Sequence, residues 1–497
     1  MKKIFWAKTW MVLALTMVQV SPVWADSTGD MMSMLESMKK QMSQMQQTID
    51  AQNLRLQQLE SKKVLETSQP SSQLQPGAAA TNLNENDWQK GIKDNLGDAI
   101  PWMKGLKFGG DFRLRMENFM FYDKNDDAGS TGTAADRERN RFRIRLRFGF
   151  EKDFMDDWKV GFRLATGSTT DPNSTNQTLG NAGYFNFKTV NIDRAYALYE
   201  PNGLKDYGAM KGFKMGAGKF DNPFLRYSTP IVWDADVTPE GLFEQAKFQL
   251  VSGEETKLNF YATAGQFIVN ENNAVDTDAE LFGYQGALNL STYKFNPDHP
   301  VDITGAMSYY DYTSWIQTVT SNTASTSYLR TNSIFADDFR VLDIYPEISF
   351  YAGNTPVTLW YDYAVNTANV GTASEDGRAL GNNINDNDEA FGLGFKIGKT
   401  KLKNSWEFFY GYYEIGANAV VAAFNDSDFG GPATNGFTNR KGHKFGLGYQ
   451  MTDNMTLNWT AYFVKPLNPF NGNATIGLQN ATNEDVFRSQ FDINYKF

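Results

Sequence analysis

The sequence predicts an all-β chain, a transmembrane antiparallel β-barrel of about sixteen strands, preceded by an α-helical coiled coil on the periplasmic side. Three observations predict it. Segments in which apolar and polar residues alternate with period two recur through most of the chain from residue 106 to the last residue. The connections between these segments are alternately short and long. A heptad seam precedes them all. The divisions expected are a leader at 1–25, a coil at 26–66, a linker at 67–105 and the barrel at 106–497.

The leader comes first. Lys2, Lys3 and Lys8 form a basic start, Trp10–Val20 a short apolar stretch, and Val23-Trp24-Ala25 a cleavage site of secretory type. The apolar run is too short to be a membrane anchor. The chain has no cysteine, which excludes lipoprotein attachment, disulfides and cysteine-ligated metal. Beyond the leader no apolar run is long enough for a spanning helix. Yet 14% of the residues are aromatic while the mean hydropathy is only −0.48. A barrel, which alternates lipid-facing and water-facing residues, reconciles the two.

The coil follows. Met31, Leu35, Met38, Met42, Met45, Ile49, Gln52, Leu56, Leu59 and Lys63 advance by alternating steps of four and three, with polar residues between them. Such a seam predicts association with other copies. Gln52, polar within the seam, could fix register. Methionine-rich seams specify the number of strands poorly. Pro70, Pro76-Gly77 and an Ala/Asn run then mark a linker.

The barrel pattern is sharpest at the C-terminus. Phe487, Ser489, Phe491, Ile493, Tyr495 and Phe497 alternate with Arg488, Gln490, Asp492, Asn494 and Lys496. The pattern recurs, for example, at Phe108/Gly110/Phe112/Leu114/Met116 and at Phe142/Ile144/Leu146/Phe148/Phe150. Strands are expected to start near 106, 139, 157, 190, 212, 242, 257, 280, 301, 341, 356, 389, 403, 440, 454 and 485. Those near 190, 212 and 242 alternate poorly. Short turns such as 153–157 and 353–355 face long loops such as 167–189, 221–241 and 416–439. That is the outer-membrane arrangement, and an even strand number leaves both ends in the periplasm. Closure is obligatory, because lipid offers no partner to an open sheet edge. A barrel of this size is too wide for its own side chains to fill, so water is expected in the lumen.

Chemistry concentrates on the inward positions of the first strands. Arg113 and Arg115 lie on the first, Arg141, Arg143, Arg145 and Arg147 on the second, and Arg163 on the third. Arg194 adds a fourth strand. Spacing of two puts them on one side. Facing lipid, each would cost on the order of 2–4 kcal/mol near the midplane, so they must face water. Rows of charge are how pores select ions. Asp111, Glu117 and Glu151 could instead neutralise the row and leave it a purely structural role. Asp234, Asp236 and Glu240, in the loop 221–241, would oppose the arginines if that loop folds inward; otherwise it is an ordinary surface loop.

Asp123, Asn125 and Asp127 suggest a calcium loop, but Ala128 stands where the turn needs glycine, so an acidic solvated loop is the better reading. His299 and His443 show no nucleophile–base–acid arrangement. No catalytic centre, metal site, cofactor or nucleic-acid partner is expected.

Phe108-Gly109-Gly110-Asp111-Phe112-Arg113-Leu114-Arg115, Asn140–Arg145, Asp193-Arg194-Ala195-Tyr196 and terminal Phe497 resemble the bacterial porin superfamily, in particular the "putative porin" families of Gram-negative bacteria. The resemblance covers residues 106–497. It implies a trimeric outer-membrane pore, with a third loop folded inward opposite a basic wall. Pro239-Glu240-Gly241 matches the motif of that loop only in part. It also implies that Phe497 is read by the barrel-assembly machinery. The coil before the barrel resembles phosphate-selective porins, but those use lysine, so phosphate specificity does not carry over. The expected function is passive diffusion of small hydrophilic solutes, anions favoured. Outer-membrane lipid and lipopolysaccharide are the expected surroundings. The alternative is a structural or adhesive barrel tethered through the coil.

Overall fold

The computed structural model describes residues 105–122, 137–154, 157–169, 171–181, 183–225, 229–271, 278–314, 332, 339–368, 387–430, 438–468 and 485–497. The leader, the coil, all but the last residue of the linker and the acidic loop at Asp123 lie outside these residues.

Seventeen strands are formed among the described residues: β1 Leu106–Tyr122, β2 Arg137–Phe154, β3 Trp158–Thr166, β4 Gln177–Thr178, β5 Val190–Tyr199, β6 Met210–Lys219, β7 Glu240–Ser252, β8 Thr256–Asn270, β9 Ala279–Thr292, β10 Val301–Thr313, β11 Phe339–Ala352, β12 Thr355–Asn366, β13 Glu389–Gly398, β14 Trp406–Ile415, β15 Arg440–Gln450, β16 Met455–Pro466 and β17 Asp485–Lys496. Every neighbouring pair is antiparallel, and β17 pairs with β1. The sheet therefore closes. The two-residue β4 sits on the part of β2 that extends past short β3, leaving sixteen barrel strands. Terminal Phe497 joins the seam, its carbonyl accepting from the Gly110 N–H at 2.9 Å.

The expected strand starts agree with these bounds to within three residues. The poorly alternating segments are nonetheless strands. Register shifts at Arg163/Leu164, Met210/Gly212 and Gln249/Val251 break the period in this sector, each displacing the side chains beyond it to the other face.

The outer face carries exposed Phe108, Phe112, Met116, Phe142 and Phe148. The interior departs from the sequence expectation. It is not a simple water-filled lumen, because three loops from the long-loop rim enter it. From 167–189, Asn173, Ser174, Thr175 and Asn176 are buried. From the segment between β6 and β7, Phe220, Phe224, Ile231, Trp233 and Val237 join an apolar cluster. From the segment after β14, Ala417, Ala419, Val420, Val421, Ala422 and Ala423 are no more than 2% exposed. Wall residues Tyr310, Tyr345, Trp360 and Tyr413 receive them. Glycine makes room for this packing: a Cβ on Gly283 would stand 2.3 Å from the Phe224 ring. Burying such side chains stabilises by roughly 1.5–3 kcal/mol each, so the loops are held in place by the same force as a soluble core.

Candidate functional site: a charged constriction

The inward face of β1 and β2 is set by period two. Their registered pairs place Arg113 opposite Arg145 and Arg115 opposite Arg143. Guanidinium groups would repel at this spacing, so counter-charges must be interleaved. Asp111 does this at the lower end. It accepts from Arg145 Nε at 2.9 Å and from Arg147 Nε at 2.8 Å. Glu117, fully buried, does it at the upper end, accepting from Arg141 and Arg488 and from Gln490 Nε2 at 2.9 Å.

Barrel closure brings in β17. Arg115 grips Asp492 with two bonds, of 2.7 and 2.8 Å. Its third nitrogen reaches Asp428 at 2.8 Å. Arg488 reaches the same Asp428 carboxylate at 2.6 Å and the Asp428 carbonyl at 2.8 Å. Asp428 belongs to the loop after β14. Two buried arginines from the first and last strands therefore clamp that loop into the barrel.

The loop between β6 and β7 supplies the other acids. Asp236 lies 3.3 Å from Arg147 and 4.0 Å from Arg145. It also accepts from the Thr175 hydroxyl at 2.9 Å. Burial pushes its carboxyl up, but Arg145, Arg147 and Arg113 outweigh this and hold it at about 2. Burial likewise opposes ionisation of Asp428, and Arg488 and Arg115 override it, keeping the group well below the usual carboxylate range. Asp234 goes the other way. Burial, reinforced by Asp426 and Asp236, raises it well above its ordinary value. The loops also bind each other. The Asp234 N–H donates to the Phe424 carbonyl at 2.6 Å, and Asn173 Nδ2 to the Asn425 carbonyl at 2.6 Å.

All eight arginines expected at the site face the interior, but most are paired. Arg163 pairs with Asp193 and Arg194 with Asp221. Two lack a close carboxylate. Arg113 donates to Asn176 at 2.6 Å, its nearest carboxylate is Asp492 at 3.9 Å, and its Nε has no partner. Arg143 donates to Ser174 at 3.2 Å, lies 4.0 Å from Glu117, and likewise has an unpartnered Nε. Arg113, with Asp234, Asp236, Asp426 and Lys444, lines a cavity of about 420 Å³ between wall and loops.

Of the three loop acids expected to oppose the arginines, Asp234 and Asp236 lie on the inward loop, Asp236 facing Arg145 and Arg147. Glu240 does not: it opens β7, is exposed, and pairs with Lys219 at 2.8 Å. Glu151 also lies apart, 3.4 Å from Lys159. Arg488, Asp492, Asp426 and Asp428 were not among the sequence candidates. The alternation had placed Arg488 and Asp492 on the polar face of the last strand. Closure is the step that carries them beside β1. For the loop, the run Ala417–Ala423 is the signal, since an apolar run of this kind is ill suited to an exterior loop.

His299 stacks on Tyr351, ring centroids 3.9 Å apart, and His443 faces outward beside Tyr410. Among the described residues no group of three or more acidic or histidine side chains could hold a metal ion.

A family model described as "putative porin" matches residues 89–335 and 316–497. No curated protein matches. Solved structures are similar at low identity, among them the following three. The high-pH structure of OprB from Pseudomonas putida is 12% identical, covering 83% of this chain and 97% of that one, with a TM-score of 0.46. The Salmonella typhi OmpF complex with daunomycin is 13% identical, covering 79% and 97%, at 0.41. The outer-membrane channel DcaP of Acinetobacter baumannii is 14% identical, covering 79% and 97%, at 0.38.

Proposed function

This chain belongs to the putative porin family, and from that premise we propose that it passes small hydrophilic solutes across the outer membrane by passive diffusion, with anions favoured. Paired charges cancel at a distance, so selectivity falls to groups left unbalanced at the narrowest point. The observation that carries the preference is Arg113, which lines the cavity between wall and loops with no carboxylate nearer than Asp492 at 3.9 Å and with its Nε unpartnered. Arg143 beside it is similarly unbalanced. Burial, Asp426 and Asp236 raise the Asp234 carboxyl well above its ordinary value, which weakens the negative charge of the opposing loop. The site residues are thus Arg113 and Arg143 for selectivity, with Arg115, Arg141, Arg145, Arg147, Arg163 and Arg194 framing the path through their ion pairs.

The test is the zero-current potential in a salt gradient. Arg113→Ser, and separately Arg143→Ser with Arg145→Ser, should move it toward cation preference. A potential unchanged in both variants refutes the assignment.

The reading extends to assembly. The leader directs export, the coil at 26–66 joins copies in the periplasm as a trimer, and Phe497 is the signal for the barrel-assembly machinery. Lipid and lipopolysaccharide surround the outer face. One observation favours a second reading: apolar and ion-paired loops occupy much of the interior. A barrel so filled suits a structural or adhesive role, tethered through the coil. Single-channel recording separates the two, since that role gives no open steps.

A further inference from the structure

Away from the arginine row, the inner wall of β11–β16 holds a niche of its own, a cavity of about 350 Å³ bordered by Thr229 of the loop between β6 and β7. Register builds it. Lys396 pairs with Phe409, and Glu407 stands two residues before Phe409 on the same inward face. Trp360 pairs with Gly394, where a Cβ would stand 2.4 Å from the indole ring. The Trp360 and Phe409 rings lie 6.1 Å apart and 9° from parallel, which makes a flat apolar wall. Beside it, Gly446 pairs with Phe409 and Gly448 with Glu407. Neither adds a side chain, so the space in front of the rings stays open.

Lys396 and Glu407 both line this space, and neither has a hydrogen bond or an ion pair among the described residues. That sets them apart from the other charges of the niche. Glu347 accepts from the Tyr345 hydroxyl at 3.0 Å, and Lys444 lies 3.4 Å from Asp426. One cation and one anion, both partly buried, are thus left to act on something other than the wall. Partial burial strengthens whatever partner they take. An apolar wall with a few placed polar groups is the usual make-up of a small-molecule site, and the volume falls at the low end of the roughly 300–1,000 Å³ such sites have.

We propose that the niche is a subsite for zwitterionic solutes with an apolar side chain, of the class of the larger α-amino acids. The solute carboxylate meets Lys396, its ammonium meets Glu407, and its side chain lies along Trp360 and Phe409. Such a solute answers both charges at once, and charge-assisted hydrogen bonds are about twice as strong as neutral ones. A simple cation or anion answers only one of them. A sugar stacks on the rings but leaves both charges uncompensated. The proposal rests on the diffusion reading given above and names a solute class for it.

Calorimetry on the full chain in detergent tests this with L-phenylalanine, phenethylamine, hydrocinnamate and glucose. Phenylalanine carries both charges, the next two carry one each, and glucose carries none. Phenylalanine should bind at least about tenfold more tightly than the others, because each of them forgoes at least one charged hydrogen bond. Lys396→Met should weaken phenylalanine about tenfold and leave phenethylamine unchanged. Glu407→Gln should weaken phenylalanine and leave hydrocinnamate unchanged. Equal affinities for all four solutes, no binding of phenylalanine, or glucose bound most tightly would each overturn the proposal. So would a phenylalanine affinity that neither substitution moves. Should one variant fail to fold, the other variant and the solute series on the parent chain still decide. Single-channel recording of the same preparation separates the two failures. Open steps without phenylalanine binding overturn the subsite alone, whereas absence of open steps overturns the pore reading.

Discussion

Glu117 shows how this protein holds charge in its interior. It is fully buried, yet Arg141, Arg488 and Gln490 satisfy its oxygens, and the Arg488 and Arg141 guanidinium groups lie 4.8 and 5.1 Å from the Phe119 ring centroid. Such a cluster adds little over an apolar core, but breaking it strands a charge. Glu117→Gln should therefore cost on the order of 3–5 kcal/mol, read as a lower unfolding temperature of the barrel. An unfolding temperature equal to that of the parent chain would mean the cluster is solvated. Arg113 is the contrasting case. Its nearest carboxylate, Asp492, is 3.9 Å away and already held by Arg115, so Arg113→Ser should change the zero-current potential and lower the unfolding temperature less than Glu117→Gln does.

At the scale of elements, the inward loops are the parts most sensitive to conditions. Asp236 and Asp428 both have carboxyls held below their ordinary values. A depressed carboxylate stabilises above the unfolded pKa and loses that contribution as pH falls through the folded one. For Asp236 the window runs from the ordinary 3.8 down to about 2. Hydrogen exchange at residues 232–237, corrected for intrinsic rate, should stay slow at pH 4 and become fast near pH 2. Protection that survives to pH 2 would show that apolar packing alone holds the loop. Asp428→Asn should loosen the other loop at neutral pH, seen as faster exchange across 417–429 and larger, noisier single-channel currents.

These elements also show what could be read from sequence. Period two located the strands, because one face must meet lipid and the other must not. It was faintest around β5–β7, where bulges and an outward Glu244 blur the alternation, although the strands lie where it placed them. The arginines of β1 and β2 were legible because each is an anomaly in a membrane strand. Arg488 and Asp492 were equally visible, but their meaning depends on β17 lying beside β1, a contact across some 370 residues. Asp428 was hidden for a further reason: its position depends on where an alanine–valine run packs, and loop length alone does not give that.

At the scale of the whole molecule, the described residues form a closed sixteen-strand barrel whose inside is partly a protein core and partly a charged cavity between wall and loops. The core makes the loops fixed parts of the wall, and in the proposed reading solutes pass through the space left between them. Removing residues 417–429 should therefore raise conductance severalfold while the barrel still assembles. The most direct test of the account is single-channel recording of the intact protein in a planar bilayer under a salt gradient. The account predicts discrete open steps with a zero-current potential on the anion side, displaced toward cations by Arg113→Ser. A folded, membrane-inserted protein that gives no open steps would contradict it.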